Sequence, residues 1–197
     1  MKPIDAAGFE QKFRENVDPW DYENSPFEAF KRRVLLRACG DRIHGRGLEL
    51  ACANGATTRH LAARCLRLLA VDASPTALRE ARRRNRGQRI VLRQALLPQD
   101  MPRGPFDLIV VSEILYYLAP NAMRDLLQRL ERASAPGGRI VVLHHIHPFD
   151  DAAQLPSLVQ RKASAHFKRL MQPVFHERHA RFDALAFRTL TRKGTRT

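Results

Sequence analysis

The chain has 197 residues, of which 44% are hydrophobic and 27% charged, with a formal net charge of +14. That length suits one domain with a full core, and the apolar content excludes a disordered chain. No apolar run nears the roughly 18 residues a membrane helix needs, the N-terminus lacks the apolar stretch of a secretory signal, and three cysteines without ligand spacing argue for a reducing, cytoplasmic compartment.

In chain order, residues 1–17 are polar with little periodicity, and residues 18–24 are turn-rich. Ser25-Pro26-Phe27-Glu28 predicts a capping box: Ser25 caps, Pro26 takes the first helical position, and Glu28 reaches back to the cap amide. A helix to about Cys39 follows. Strands and helices then alternate. Gly47–Ala51 reads as a strand, with a helix to about Cys65. Leu68–Asp72 is the second strand, and Ser74-Pro75 starts a helix to about Arg86. Ile90–Arg93 and Phe106–Ser112 are further strands. Pro120 to Ala133 is helical, Pro136–Gly138 is a turn, and Arg139–His145 is a strand. Residues 152–170 read as a helix interrupted near Pro156. Strands near Val174–His179 and Arg181–Leu190 precede a frayed tail.

Apolar strands alternating with helices predict an α/β fold whose parallel sheet is covered on both faces. Ligands of such sheets bind beyond the carboxyl ends of the strands. Functional residues are therefore expected at 52–55, 72–74, 95–97, 112–117 and 144–148. In the first of these loops, small residues at Ala51, Ala53 and Gly55 allow the backbone to approach a ligand closely, with Cys52 and Asn54 between them. Helix amides beginning near Gly55 would face that ligand. Asp72 ends the second strand about 20 residues later, where an acid accepts ribose hydroxyls. The three-glycine dinucleotide fingerprint is absent, which favours a nucleoside without phosphates.

Glu49–Gly55, Val71–Pro75, Phe106–Leu118 and Ala135–Gly138 together resemble class I S-adenosylmethionine-dependent methyltransferases. With Asp18-Pro19-Trp20 and Ser25–Glu28, residues from about 13 to 190 are similar to the nodulation protein S family. The resemblance implies a Rossmann-like seven-stranded sheet, mostly parallel with the last strand antiparallel. It implies a lid segment and helix over residues 1–40, a methyltransferase domain over 41–192 and a tail over 193–197. It also implies S-adenosylmethionine as cofactor: Glu49 near the methionine amino group, Asp72 on the ribose, Ala73 on the adenine, Ala95 and Leu96 beside it, Ser112 to Ile114 at the methyl end, and Trp20 in the lid. Two departures stand out. The family carries glycine where Ala51 stands, and an acid near the adenine amine where Leu96 stands. An added methyl at 51 crowds the cofactor, and a missing hydrogen bond at 96 weakens it by about 1 kcal/mol.

Glu113 and Tyr117 are the candidates at the acceptor, as base or ammonium anchor and as hydroxyl contact, with Tyr116 beside them. His144, His145 and His147 follow the fifth strand. Residues 144 and 145 of a strand face opposite ways, so a shared metal ion is not expected, and His144 is the candidate base. The expected acceptor is a small molecule or oligosaccharide, by resemblance the amine of a chitooligosaccharide-like amino sugar. An RNA acceptor has only charge in its favour. The excess is 28 Arg against 6 Lys, scattered over helix faces, and the Asn/Asp-Pro-Pro-Tyr/Phe motif of base methylation is absent. A non-catalytic protein that keeps the fold is the third reading, resting on Ala51 and Leu96.

Overall fold

The computed structural model describes residues 3–87 and 89–190. Its elements are α1 (Ala6–Glu15), α2 (Pro26–Ala38), β1 (His44–Leu50), α3 (Thr58–Ala62), β2 (Cys65–Asp72), α4 (Pro75–Arg84), β3 (Ile90–Gln94), β4 (Phe106–Ser112), a 3-10 turn (Leu115–Tyr117), α5 (Pro120–Ala133), β5 (Ser134–His145), α6 (Pro156–Lys168), β6 (Met171–Arg178) and β7 (Phe182–Thr189). The seven strands form one sheet in the order β3-β2-β1-β4-β5-β7-β6. β1 to β5 pair in parallel, and β7 runs antiparallel to both neighbours.

Alternation along β4 explains why helices cover both faces. Leu108 and Val110 join Val34, Leu35 and Leu61 in the core under α2 and α3. Ile109 and Val111 join Leu126, Leu130 and Phe167 in the core under α5 and α6. All four β4 residues are at most 1% exposed, so the strand reads as one apolar run.

Two of the predicted caps form. Ser25 Oγ accepts from the Glu28 amide at 3.3 Å, and Ser74 Oγ accepts from the Ala77 amide at 2.9 Å. Glu28 does not complete the capping box: its carboxylate takes the Lys31 ammonium at 2.9 Å, a charge pair one turn along α2.

Several boundaries differ from the sequence reading. Residues 6–15 form a helix, α1, capped by Asp5 through the Gly8 amide at 2.8 Å. Its apolar stripe is only Phe9 and Phe13, so tertiary contacts rather than periodicity hold it. α3 has five residues, and Cys65 already belongs to β2. Pro136–Gly138 is not a turn: β5 begins at Ser134, which pairs with Phe106 across a register shift, so the extra residues are absorbed as a bulge. α6 starts at Pro156, which takes the first helical position instead of interrupting a longer helix. The tail expected over 193–197 lies outside the described residues.

Candidate active site

A cavity of about 710 Å³ opens at the carboxyl ends of β1, β2 and β4, with α1 and the Trp20 segment as its roof. Its floor is the loop after β1. Ala51 and Ala53 take left-handed φ angles of 52° and 49°, and Gly55 one of 78°. Such angles cost an L-residue roughly 1–2 kcal/mol, so both alanines occupy conformations that glycine favours. Gly55 is required for a second reason: a Cβ there would lie 2.9 Å from Ala81 Cα and 2.5 Å from Asn85 Nδ2. The helix start expected near Gly55 is not realised. α3 begins at Thr58, while the Gly55 amide donates to Cys52 O at 3.0 Å and the Ala56 amide to Asn54 Oδ1 at 3.3 Å. Asn54 also donates from Nδ2 to Val17 O at 3.1 Å, tying the loop to the segment that carries Trp20. Cys52 is packed beside it, its thiol pushed up by burial, and is not a nucleophile.

Two buried acids face this space. Asp72 ends β2. Its Oδ2 accepts from the Ala53 amide at 2.8 Å and its Oδ1 from the Ser74 amide at 2.9 Å, leaving one lone pair on each oxygen. Glu49, in β1, is 4% exposed, and its Oε2 has no hydrogen-bond partner among the described residues. Burial pushes its carboxyl up to about 8, against the Thr58 hydroxyl, which lowers it. An unpartnered buried carboxyl on a cavity wall is a receptor for a cation.

Ala73, Ala95 and Leu96 line the same end. Gln94 Nε2 donates to Ala73 O at 3.0 Å, and Asp100 accepts from the Leu96 amide at 2.9 Å. Leu96 therefore offers an apolar side chain at this end, and the cavity remains open past both it and Ala51. Overhead, Trp20 meets Phe13 at 5.7 Å and Tyr22 at 5.7 Å between ring centroids, and Phe9 meets Tyr117 edge-on at 4.7 Å.

Ser112, Glu113, Ile114 and Tyr117 line the other end. Glu113 is fully engaged. Lys31 pairs with it at 3.0 Å, the His145 amide donates to it at 3.0 Å, and the Tyr116 hydroxyl donates to it. Burial alone would raise its carboxyl, but Lys31 and these donors bring it down to about 2. It is an anionic anchor, and its affinity for a proton is too low for a base near neutral pH. Tyr117 is pushed well above its ordinary value, first by burial and then by Glu113, so its hydroxyl keeps its proton and is a hydrogen-bond donor.

His144 does not reach the cavity. Its ring is fully buried: Nε2 accepts from the Leu115 amide at 3.2 Å, and Nδ1 meets Gln160 Oε1 at 2.9 Å. Both nitrogens are committed, which fixes the Nδ1–H tautomer and removes His144 as a base. It braces the 3-10 turn instead. Alternation along β5 turns His145 the other way, onto the cavity wall. Sequence reasoning also missed Glu10, Lys31 and Arg181. The Arg181 guanidinium lies 3.7 Å from the Phe27 ring centroid at the cavity rim.

The strand order with its reversed β7 is that of the class I methyltransferase fold. The sequence profile of the family Nodulation protein S (NodS) matches residues 7–142, and the chain belongs to that family. Nodulation protein S of Rhizobium tropici is 39% identical over 127 residues, 63% of this chain and 53% of that protein. Nodulation protein S of Sinorhizobium fredii is 35% identical over 127 residues, 63% of this chain and 59% of that protein. The chain thus aligns with little more than half the length of these relatives. The crystal structure of N-methyltransferase NodS from Bradyrhizobium japonicum WM9, in complex with S-adenosyl-L-homocysteine, superposes with a TM-score of 0.80 at 27% identity, covering 94% of this chain and 99% of that one.

Proposed function

We propose that this chain is an S-adenosylmethionine-dependent methyltransferase whose acceptor is the amine of an amino sugar, as in a deacetylated chitooligosaccharide. The observation that carries the cofactor reading is Glu49: a buried carboxyl with an unpartnered oxygen, on the cavity wall beside the β1 loop. A methionine ammonium supplies the missing partner. The remaining lone pairs of Asp72 suit the two ribose hydroxyls, and Ala73 and Leu96 offer apolar faces to an adenine.

When bound, the sulfonium cofactor supplies an electrophilic methyl group. The residues of this chain then have three tasks. Phe9, Phe13 and Trp20 cover the cavity and keep water out. Glu113, held by Lys31, supplies a fixed negative charge at the end where the acceptor enters. Glu28, Lys31 and Glu113 together carry one net negative charge, which favours an ammonium over a carboxylate. Alignment of amine and methyl group supplies most of the rate.

The identity of the bacterial N-methyltransferase neighbour supports nitrogen as the methylated atom. Nothing at the site favours RNA: Arg83 and Arg84, in the densest basic run, are already paired with Glu80 at 2.7 Å each. The non-catalytic reading loses its basis, since neither Ala51 nor Leu96 closes the cavity. Titration calorimetry with S-adenosylhomocysteine tests the cofactor reading. Micromolar binding that falls at least tenfold in Asp72→Ala is expected, and no binding to folded wild type overturns it. Mass spectrometry of a glucosamine trisaccharide after incubation with S-adenosylmethionine tests the acceptor: a single added methyl on nitrogen is expected.

A further inference from the structure

An acceptor that arrives as an ammonium must lose a proton before its nitrogen can attack. Three titratable groups near this end are committed. Glu113 holds Lys31, the Tyr116 hydroxyl and the His145 amide. Glu28 holds Lys31. His144 is buried with both nitrogens bonded. His145 differs. Its ring lines the cavity, packed at 5.6 Å from His147 and 6.0 Å from Phe149, and among the described residues neither ring nitrogen has a hydrogen-bond partner. Its backbone amide is anchored on Glu113, so the imidazole is fixed beside the acceptor end. β5 also lies on the side of β4 away from β1, beyond the expected methyl end.

We infer that His145 is the general base of the reaction, its imidazole receiving the proton of the acceptor ammonium; this rests on the methyltransferase reading above. The proton moves from the acceptor nitrogen to His145. The freed lone pair then forms the N–C bond to the methyl group as the C–S bond breaks, with that electron pair staying on sulfur. The product is a protonated secondary amine, and His145 returns its proton to solvent. Four charged or titratable groups face the ring. Glu113, after β4, favours its protonation. His147 in its own loop, Lys31 from α2 and Arg181 from the β6–β7 turn oppose it. Burial, with Lys31 and Arg181, outweighs Glu113 and holds His145 below its ordinary value of 6.5, so it is neutral and able to accept at pH 7.

The test uses His145→Asn and His145→Ala in the full chain, with three readouts. The first is calorimetric binding of S-adenosylhomocysteine, expected within twofold of wild type. The second is NMR titration of the His145 ring. Its resonances should titrate below the ordinary histidine range and shift when a glucosamine trisaccharide is added to the S-adenosylhomocysteine complex. The third is the pH–rate profile with the same trisaccharide. Both variants should lose about 10²-fold in kcat near neutral pH. They should recover toward wild type above the pKa of the sugar amine, where free amine no longer needs a base. Added imidazole should partly rescue His145→Ala. A purely structural role would lower the rate equally at every pH. A variant profile parallel to wild type, or a ring that ignores the trisaccharide while S-adenosylhomocysteine binds, overturns His145 and leaves the cofactor reading intact. If the trisaccharide is not turned over, the ring shift decides. Failure of wild type to bind S-adenosylhomocysteine overturns both.

Discussion

Glu10 of α1 seats its carboxylate on the first turn of α4 and holds Thr76 twice, accepting from its Oγ1 at 2.7 Å and from its amide at 3.1 Å. The same carboxylate accepts from Ser74 Oγ at 2.7 Å. The start of a helix favours an anion, so the contact is charge-assisted. Ser74 and Thr76 follow directly on Asp72 and Ala73, the residues proposed for ribose and adenine. α1 is therefore latched to the strand-to-helix turn that carries the proposed nucleoside end of the site. Lys12 with Asp151, at 2.8 Å, pins its other side.

Removing the latch should loosen the lid without unfolding the domain. Glu10→Ala is expected to weaken S-adenosylhomocysteine binding by about tenfold, the scale of one charge-assisted hydrogen bond. The pH dependence has a definite sign. Burial raises the Glu10 carboxyl, but Ser74 and Thr76 bring it down to about 2, below its ordinary 4.5. Its contribution is complete above the unfolded value and is lost as pH falls from about 4.5 through about 2. The stability gap between wild type and Glu10→Ala, read from urea unfolding, should be constant near neutrality and shrink in acid. A gap that persists unchanged at about pH 2 would sink the latch.

Trp20, in the proposed lid, packs among Phe9, Phe13 and Tyr22. Trp20→Ala opens the roof of the cavity to water and should cost tenfold or more in S-adenosylhomocysteine affinity. Trp20→Phe keeps an aromatic surface and should recover most of it. Equal affinity in wild type and Trp20→Ala, measured by calorimetry, would remove Trp20 from the lid.

Glu49 offers a test in the opposite pH direction. Its carboxyl lies at about 8, raised by burial from 4.5. The ligand-free fold is thus favoured by the protonated form. That contribution is complete below about 4.5 and is lost as pH rises through about 8. Glu49→Gln mimics the protonated acid. It should unfold at the same temperature as wild type near pH 3.5 and at a higher one at pH 9. Binding behaves inversely, because a ligand ammonium needs the carboxylate. Wild-type affinity for S-adenosylhomocysteine should rise from pH 6 to pH 8.5, while Glu49→Gln stays weak and flat. A Glu49→Gln variant with wild-type affinity at pH 8.5 would refute the ammonium contact.

How much of this was legible in the sequence depended on whether one segment carried the whole signal. β2, β4 and Ile140–Leu143 of β5 carry apolar runs, and Ser25 and Ser74 precede prolines at helix starts, so strands and caps could be read locally. The place of Asp72 at the end of β2 was legible because its distance from the first loop is fixed by one strand–helix–strand unit. α1 was not, since Phe9 and Phe13 alone make no periodicity and Glu10 finds Thr76 only in three dimensions. The Lys31–Glu113 pair joins positions 82 apart, and it turns an apparent base into an anchored anion. Alternation correctly set His144 and His145 on opposite faces. It could not say which face carries the cavity, because that depends on where α6 packs and supplies Gln160.

The β1 loop yields the last prediction, from the three residues at positive φ. Ala51 and Ala53 carry left-handed strain of roughly 1–2 kcal/mol each. Glycine would relieve that strain, but it adds about 0.5–1 kcal/mol of unfolded-state entropy. The balance leaves Ala51→Gly and Ala53→Gly each neutral to about 1 kcal/mol more stable, a rise of no more than about 4 °C in Tm for a chain of this size. Gly55→Ala has no such compensation. Its φ of 78° is unfavourable for alanine, and the new Cβ would press on the Ala81 backbone at 2.9 Å, which cannot yield as a flexible side chain would. It should destabilise the fold by about 2 kcal/mol or more and displace the loop under the cofactor. Thermal unfolding of the three variants reads the contrast directly. Strain at 51 and 53 is the reason to expect opposite signs, so destabilisation of all three by equal amounts would show that the two alanines sit there without strain.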